Sequence, residues 1–189
     1  MIGVLALQGG YERHGKVLEK LGVAYRYVKL PHQLEGLDGL IMPGGESTTM
    51  LKLANTFSLM EPLRACIQTG LPVFATCAGS ILLCDTVLHP SQQSLGVLPA
   101  TIERNAYGSQ RESFYAEIDV EPWGLEQVGV YFIRAPRFVA HEPQVQVLCR
   151  FNQDIIGVQW RHITAVTFHT ELADHTVMHR AWLHQQALV

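Results

Sequence analysis

Cys77 stands where an apolar run ends and small residues begin, in the segment LPVFATCAGS of residues 71–80. The residues two before and two after it, Ala75 and Gly79, are both small, which is the spacing of a nucleophile elbow. Such a tight strand-to-helix turn presents the sulfur to a cleft, and the N-terminus of the following helix favours the thiolate. Glycine is usual at the first small position, so Ala75 is a modest departure. The alternative is that Cys77 is a small hydrophobic residue of the core.

His169 and Glu171 form a second candidate group near the carboxyl end of the chain. The run from Ile163 to Phe168 predicts a strand, and residues two apart on a strand share a face. A carboxylate at Glu171 can then accept a hydrogen bond from one imidazole nitrogen of His169 and leave the other nitrogen as a base. The alternative is a His–Glu pair that caps the final helix.

The segment PGGEST of residues 43–48 is a third candidate, because it follows a short predicted strand. Two adjacent glycines free backbone N–H groups and let a ligand approach closely. The alternative is a plain turn in which Ser47 caps the following helix. That alternative explains the serine and the glycines but gives no role to Glu46.

Taken together, these three groups predict an acyl-transfer site with a Cys–His–Glu triad. The thiolate of Cys77 attacks a carbonyl carbon, and His169, oriented by Glu171, moves the proton. Two backbone N–H groups, at Gly45 and Ala78, are expected to hold the oxyanion. We therefore expect the three segments to meet in one cleft.

The first half of the chain alternates strands and helices. Strands are predicted at 2–7, 24–29, 39–42 and 72–76, and helices at 11–22, 47–54 and 57–69. From about residue 95 to 168 short strands follow one another, and a final helix is predicted at about 172–186. Crossover helices imply an α/β fold with a mixed, mostly parallel sheet flanked by helices. Neither a linker nor a repeat interrupts the pattern, so residues 1–189 are predicted to form a single domain.

The composition narrows the classes of function. The chain has 189 residues, of which 48% are hydrophobic and 16% charged, with a formal net charge of −3. This mild charge, without a Lys/Arg-rich run, argues against a nucleic-acid partner. Apolar runs stay well below the roughly 18 residues that span a membrane, so no membrane partner is expected. The four cysteines are scattered without a CxxC pair, and the N-terminus has no basic leader, which indicates a reduced, cytoplasmic protein.

Several motifs resemble the class I, triad-type glutamine amidotransferases. Within that class they are similar to the glutaminase subunit of pyridoxal 5′-phosphate synthase, the PdxT family. The motifs are GVLALQG at 3–9, PGGEST at 43–48, ATCAG at 75–79, ERNAYG at 103–108, FIRAP at 132–136 and FHTEL at 168–172. The resemblance covers essentially the whole chain. It implies a flavodoxin-like three-layer fold and hydrolysis of L-glutamine to L-glutamate and ammonia through a thioester on Cys77.

The resemblance also implies roles for particular residues. It assigns the triad to Cys77, His169 and Glu171. It implies contacts to L-glutamine from Gly45, Glu46, Ser47, Arg104, Ile133 and Arg134. An arginine suits the α-carboxylate of glutamine, because a guanidinium binds a carboxylate through paired hydrogen bonds.

Members of this family deliver ammonia to a separate synthase subunit of the PdxS type. Glutaminase units and a double-ring synthase core form a large hetero-oligomer, and the resemblance implies the same partner here. The stretch Leu7-Gln8-Gly9 is expected to take part in that contact or in activation, because it follows a strand.

Three places depart from the family pattern, namely Thr170, Ala75 and the segment Trp160-Arg161-His162, and other functions stay open. Thr170 stands where the family usually has proline, which is expected to loosen the turn that orients His169, and Ala75 is expected to tighten the elbow. One alternative is the glutaminase of another amidotransferase, such as that of imidazole glycerol phosphate synthase. Others are a cysteine hydrolase of the DJ-1 type and a regulatory subunit without chemistry.

Neither a metal nor another cofactor is expected. His175 and His179 are four residues apart on the predicted final helix, a spacing that can bind zinc. The sequence offers no obvious third ligand, so a solvated helix face is the expectation for both. The phosphate-binding patterns GxGxxG and GxxxxGK are absent, so a nucleotide cofactor is not indicated.

Overall fold

The computed structural model describes residues 1–107 and 113–189, so Gly108 of the ERNAYG motif lies outside the described residues. The strands are β1 (Ile2–Leu5), β2 (Tyr25–Val28), β3 (Gly39–Met42), β4 (Val73–Thr76), β5 (Cys84–Leu88), β6 (Leu98–Glu103), β7 (Ser113–Val120), β8 (Leu125–Ile133), β9 (Arg137–His141), β10 (Gln146–Phe151), β11 (Asp154–Trp160) and β12 (Ile163–Val166). The helices are α1 (Tyr11–Lys20), α2 (Ser47–Thr56), α3 (Met60–Gln68), α4 (Ala78–Leu83) and α5 (Val177–Gln185). Within these two ranges, every helix is too short or too polar to cross a membrane.

Five parallel strands form one half of the main sheet, in the order β2-β1-β3-β4-β12. All residues of β1, β3, β4 and β12 are buried, as expected for parallel strands covered on both faces. The register pairs Met42 with Ala75 and Thr76 with Val166. The carboxyl ends of β3, β4 and β12 therefore lie side by side at one edge of the sheet.

The other half of the sheet is mixed. It continues from β12 through β11 and β9 to β6 in antiparallel pairs, and β5 closes it with a parallel pairing to β6. Strand β10 pairs with β11, and β7 and β8 form a separate antiparallel pair. This architecture confirms the predicted α/β class with a mixed sheet flanked by helices.

Alternate residues of the central strands face two apolar clusters. In β4, Val73 and Ala75 belong to one cluster and Phe74 to the other, and in β3 Leu40 and Ile41 divide in the same way. The first cluster includes residues of α2, α3 and α4, and the second includes residues of α1 and α5. Helices thus cover both faces of the sheet, and each fully buried aliphatic or aromatic side chain contributes about 1.5–3 kcal/mol to the free energy of folding.

Several predicted boundaries are wrong. The final helix begins at Val177 rather than near 172, because residues 171–174 form turns and bends. Strand β12 ends at Val166, so His169 and Glu171 follow the strand instead of extending it. The prediction also missed β5 and β9. In β5, Asp85 and Thr86 are exposed, so no apolar run marks the strand in the sequence.

Candidate active site

The ends of three neighbouring strands bring the predicted site together. Strand β3 leads into the PGGEST segment, β4 into Cys77, and β12 into the loop of His169. Because these strands are adjacent and parallel, their carboxyl ends meet where ligands of α/β sheets bind. A cleft of about 410 Å³ opens there. The predicted site residues that line it are Cys77, His169, Glu171, Gly45, Glu46, Ser47, Arg104, Ile133 and Arg134.

The turn at Cys77 has the shape of an elbow. The backbone angles of Cys77 are φ 45° and ψ −106°, a strained conformation that residues other than glycine rarely adopt. Helix α4 begins at the next residue, Ala78. A β-carbon on Gly79 would collide with the carbonyl oxygen of Met42, so the elbow has no room for a side chain there. The Cys77 N–H donates to the Val166 carbonyl at 2.9 Å, which ties the elbow to β12.

His169 and Glu171 are in direct contact. His169 Nδ1 lies 2.6 Å from Glu171 Oε1, and both side chains are almost completely buried. The carboxylate accepts a hydrogen bond from Nδ1–H, which leaves Nε2 as the ring nitrogen that can exchange a proton with Cys77. The alternative in which this pair caps the final helix is wrong, because Thr176 occupies the N-cap position of α5.

The surroundings of the pair fix its charge state. Burial alone would lower the pKa of His169, but hydrogen bonds with Cys77 and Glu171 and the charge of Glu171 raise the pKa above its ordinary value. Burial alone would raise the pKa of Glu171, but the interaction with His14 and the hydrogen bond from His169 lower it below its ordinary value. Glu171 is therefore ionised, and His169 readily takes a proton. This is the electrostatic setting that a cysteine nucleophile needs.

Two residues depart from the family pattern without disturbing this geometry. Ala75 is fully buried in β4, where it pairs with Met42 and Ala165, so its methyl group is part of the core. Next to Thr170, the His169 backbone exchanges two hydrogen bonds with Tyr131, at 2.7 and 3.0 Å. This backbone bridge holds His169 without the proline that the family usually has.

The backbone of Gly44 is held by hydrogen bonds on two sides. The Gly44 N–H donates to Thr76 Oγ1 at 3.0 Å, and the Gly44 carbonyl accepts from the Gly10 N–H at 2.9 Å. A β-carbon on Gly44 would collide with the imidazole of His169. This position therefore requires glycine, since the backbone passes directly beside the imidazole.

The two residues predicted to hold the oxyanion belong to different segments of the chain. Gly45 lines the cleft. Ala78 is buried as the first residue of α4, where a backbone N–H has no partner within its own helix. The joint role of these two N–H groups stays a prediction.

Glu46, and not Ser47, caps helix α2. Its carboxylate accepts from the N–H groups of Thr48 at 3.3 Å and Thr49 at 2.8 Å. Desolvation alone would raise the pKa of Glu46, but these hydrogen bonds and those from the two threonine hydroxyls lower it to about 2. Ser47 is the first helical residue, and its hydroxyl donates to Gln92 Oε1 at 2.9 Å. The alternative in which Ser47 caps the helix is therefore wrong.

Two arginines stand at the cleft wall, as expected from their places after β6 and β8. Arg104 Nη2 donates to Glu46 Oε1 at 3.3 Å. Arg104 Nη1 is buried and has no hydrogen-bond partner within residues 1–107 and 113–189. Arg134 is exposed and has a positive φ of 41°, next to the part-exposed Ile133. An unpaired guanidinium nitrogen in a cleft is suited to an anionic ligand such as a carboxylate.

The cleft also contains residues that sequence analysis did not single out: Gly10, Arg13, Ile81, Asn105 and Leu172. Gln8 and Gly9, named above only as a contact segment, line it as well. Gln8 Oε1 accepts from the Glu46 N–H at 2.7 Å, so the N-terminal loop supports the PGGEST segment. Asn105 belongs to the ERNAYG motif, which was its signal in the sequence, and it has a positive φ of 50°, a conformation that asparagine tolerates.

The expectation of a solvated helix face for His175 and His179 is wrong. His175 precedes α5, and its Nε2 lies 2.7 Å from the Gly129 carbonyl oxygen. His179 is fully buried, and its Nε2 lies 2.8 Å from Nδ1 of His14 in α1. Over the described ranges, no group of three His, Cys, Asp or Glu side chains is arranged to hold a metal ion.

Fold and geometry together define a class: an α/β protein whose parallel sheet carries a cysteine elbow beside a histidine–glutamate pair. The sequence profile of the SNO glutamine amidotransferase family matches residues 4–188. The chain therefore belongs to the SNO glutamine amidotransferase family.

Individual relatives agree with this assignment. The chain is 51% identical to the pyridoxal 5′-phosphate synthase subunit PdxT of Corynebacterium diphtheriae, over 97% of this chain and 98% of the relative. It is 47% identical to the subunit of the same name from Thermotoga maritima, over 96% and 97% of the two chains. A crystal structure of a glutamine amidotransferase superposes with a TM-score of 0.92 at 41% identity, and the match covers 98% of both chains. The resemblance inferred from the motifs is thereby confirmed.

Proposed function

We propose that this chain is the glutaminase subunit of a pyridoxal 5′-phosphate synthase. It hydrolyses L-glutamine to L-glutamate and ammonia, and the ammonia passes to a synthase subunit. One observation carries the proposal: Cys77, His169 and Glu171 line a single cleft in a member of a glutamine amidotransferase family. Residues 1–189 act together as one glutaminase domain.

The first half of the reaction forms a thioester. The Cys77 thiolate attacks the side-chain amide carbon of glutamine, and the carbonyl electrons move to oxygen. The N–H groups of Gly45 and Ala78 stabilise the resulting oxyanion. When the intermediate collapses, the carbon–nitrogen bond breaks, and the protonated His169 gives its proton to the leaving nitrogen, which departs as ammonia.

The second half of the reaction releases the product. His169 takes a proton from a water molecule as the water oxygen attacks the thioester carbon. The second oxyanion uses the same two N–H groups. Its collapse breaks the carbon–sulfur bond, returns the thiolate of Cys77 and releases L-glutamate. Glu171 keeps His169 in the required tautomer and stabilises its charged form throughout.

The rest of the cleft supplies the groups that glutamine recognition needs. The guanidinium groups of Arg104 and Arg134 pair with the α-carboxylate. Glu46, Ser47 and the backbone of Gly45 receive the α-ammonium and side-chain amide, and Ile133 covers the methylene groups of the substrate. Glu46 is ionised and lines the cleft, which supports this assignment.

The names of the relatives point to a synthase complex. Both are called subunits of pyridoxal 5′-phosphate synthase, and the matches span nearly their whole length. We infer a PdxS-type partner and a large hetero-oligomer for this chain, with the segment Leu7-Gln8-Gly9 taking part in that contact or in activation. The four cysteines are free thiols, which supports a location in the reducing cytoplasm.

Glutamate release from L-glutamine tests the proposal, measured with and without a cognate synthase subunit. Cys77→Ser is compared with Cys66→Ser, a half-buried thiol outside the cleft. We expect Cys77→Ser to lose roughly 1000-fold or more in turnover, Cys66→Ser to keep it, and the wild-type rate to rise with the synthase. Turnover by Cys77→Ser would contradict the triad. A rate of glutamate release that does not change when the synthase is added would support the glutaminase activity but contradict the proposed partner.

A further inference from the structure

Two buried histidines continue the triad into the core. His14, on α1, and His179, on α5, are both fully buried, and neither takes part in the reaction described above. His14 Nε2 lies 3.5 Å from Glu171 Oε2, and His14 Nδ1 lies 2.8 Å from His179 Nε2. With the contact of Glu171 Oε1 to His169, this makes a continuous row of four polar side chains that starts beside Cys77.

We propose that His14 and His179 are positioning residues of the active site: His14 holds the second carboxylate oxygen of Glu171, and His179 fixes the tautomer of His14. This inference rests on the proposed glutaminase function. It concerns a role beyond the triad, because neither histidine lines the cleft.

The two carboxylate oxygens of Glu171 have different surroundings. Oε1 accepts from His169, whereas Oε2 is buried and receives no hydrogen bond of ordinary length within residues 1–107 and 113–189. A buried carboxylate oxygen without a donor is costly. Nε2 of His14, 3.5 Å away, can donate to it, so a small movement of either side chain closes the contact.

The charge of Glu171 decides which nitrogen of His14 carries the proton. Because Glu171 is ionised, the facing Nε2 of His14 must carry a proton to be attracted. Burial lowers the pKa of His14, and the charge of His169 lowers it further. The charge of Glu171 raises it, but burial outweighs this effect. The ring is therefore neutral, and Nδ1 carries no proton. A bare Nδ1 accepts, and Nε2 of His179 is the donor placed 2.8 Å away.

His179 is neutral as well. Burial lowers its pKa, and the neighbouring His14 and His175 lower it further. The charge of Glu171 raises it, but the net shift is downward. A neutral His179 that donates through Nε2 has a bare Nδ1, and this atom is buried without a partner in the described part of the chain. The opposite arrangement would bury an N–H without an acceptor and would turn a lone pair of His14 toward the carboxylate. The row therefore has one direction, with donors pointing from α5 toward Glu171.

The same histidine also reaches the loop beside the nucleophile. Thr76 Oγ1 lies 3.3 Å from His14 Nε2 and accepts from the Gly44 N–H at 3.0 Å. His14 thus lies behind both the carboxylate of the triad and the peptide that passes the imidazole. A misplacement of about 1 Å at such groups can lower a rate on the order of 100-fold.

Kinetics of His14 variants test the proposal, assayed with the synthase subunit at a temperature where circular dichroism shows every variant folded. His14→Leu removes the donor, and His14→Gln keeps one donor and one acceptor. Leu18→Ala is the control, because Leu18 is a buried core residue of the same helix with an apolar side chain. We expect His14→Leu to lose roughly tenfold to 100-fold in kcat with KM within about twofold of wild type. We expect His14→Gln to recover most of the rate, and Leu18→Ala to keep it.

Variants at the second histidine extend the series. His179→Gln keeps a donor toward His14, whereas His179→Leu leaves Nδ1 of His14 without one. We expect near wild-type kcat for His179→Gln and a severalfold loss for His179→Leu. Unchanged kcat in His14→Leu, or an equal loss in His14→Gln and Leu18→Ala, would overturn the positioning role.

Nitrogen-15 spectra of the histidine rings provide a reading that needs no turnover. We expect His14 and His179 to be neutral with protonated Nε2, and His14→Leu to shift the Nδ1 resonance of His169. A His14 protonated on Nδ1, or a His169 resonance indifferent to the substitution, would contradict the proposal. Absence of Cys77-dependent glutamate release by the wild type would instead contradict the proposed function, and the spectra would still decide whether the row exists.

Discussion

At the scale of single residues, the surroundings of His169 decide what the cleft can do. The imidazole contacts Glu171 through Nδ1, its backbone is bonded to Tyr131, and Gly44 lies against the ring. These contacts leave the side of the ring that faces Cys77 as the place where a proton can be exchanged. The strained backbone of Cys77 also favours this exchange, because it places the sulfur at the edge of the cleft.

Arg134 gives a prediction about substrate binding. Arg134→Ala removes a guanidinium from the cleft mouth, and the loss of one charge-assisted hydrogen bond corresponds to a rise in KM for L-glutamine of roughly tenfold or more. Since the reacting atoms lie elsewhere, kcat is expected to stay within about threefold. Steady-state kinetics of glutamate release provide both values. Arg150→Ala is the matched control, because Arg150 is exposed and lies outside the cleft. An unchanged KM in Arg134→Ala would remove this residue from the substrate site.

The residues with local sequence signals could be predicted, and those without could not. The sequence spacing predicted two groups: Cys77, which has small residues on either side, and the pair His169 and Glu171, which are two residues apart. His14 and His179 are 165 positions apart, and only the packing of α1 and α5 on one face of the sheet brings them together. Glu46 was predicted to line the cleft. Its role as the N-cap of α2 could not be predicted, because it depends on the angle at which the chain enters the helix.

At the scale of elements, the turn before α2 links stability with the site. The carboxylate of Glu46 satisfies N–H groups of the first helical turn and also meets Arg104 at the cleft wall. One side chain thereby fixes where the helix begins and how the PGGEST segment approaches the nucleophile.

Removal of this cap gives a second prediction. Glu46→Ala is expected to lower the free energy of unfolding by about 1 kcal/mol, as is usual when a capping side chain is lost. Glu46→Gln keeps one acceptor oxygen and is expected to lose less. Urea denaturation measures both changes. Glu61→Ala is the control, since Glu61 is an exposed residue of α3 whose ion pair with Arg64 is worth about 0–1 kcal/mol. Equal losses at positions 46 and 61 would show that the cap is not important.

Thr170 gives a third prediction, in the loop that follows β12. Its hydroxyl is buried and has no hydrogen-bond partner among the residues that the structure describes. Thr170→Val replaces the hydroxyl with a methyl group of similar size and is expected to raise the free energy of unfolding by about 1 kcal/mol. Because the backbone bridge to Tyr131 holds His169, kcat is expected to stay unchanged. A loss of stability in urea denaturation would indicate that the hydroxyl has a partner.

The elements that sequence analysis predicted well have strong apolar patterns. Strands β1, β3 and β4 are buried on both faces and appear as continuous apolar runs. Strand β5 lies at the edge of the sheet with two exposed polar residues, so its pattern is indistinguishable from a loop. The start of α5 was placed too early, because residues 172–176 carry no signal strong enough to mark the N-terminus.

At the scale of the whole molecule, burial of two neutral histidines makes stability depend on pH. Burial lowers the pKa values of His14 and His179, so both stay neutral in the folded protein as the pH falls below 6.5. In the unfolded chain each has an ordinary pKa of about 6.5 and takes up a proton. The unfolded state then binds more protons, so the free energy of unfolding decreases as the pH falls, by at most about 1.4 kcal/mol per pH unit for each histidine.

The other shifted groups of the site act outside this window. The pKa of His169 is raised, so its contribution is fully present below pH 6.5 and is lost as the pH rises toward the folded value. The pKa values of Glu171 and Glu46 are lowered, so their contributions are lost only as the pH falls below about 4.5. Just below pH 6.5 the two buried histidines therefore dominate the slope.

Urea denaturation at several pH values between 6.5 and 5 measures this fourth prediction. Wild type is expected to lose stability more steeply than His179→Gln, because the variant has one such histidine instead of two. The same slope in both proteins would mean that His179 is protonated in the folded state.

The central claim is that Cys77 attacks the side-chain carbon of a glutamine bound in this cleft. A glutamine analogue with a chloromethyl ketone in place of the side-chain amide tests it directly, because the thiolate forms a carbon–sulfur bond as chloride leaves. The labelled protein, prepared with its synthase subunit present, is digested and the modified peptide identified by mass spectrometry. We predict one label, on Cys77, that excess L-glutamine prevents. Labelling of another cysteine, or labelling of Cys77 that L-glutamine does not slow, would contradict the account.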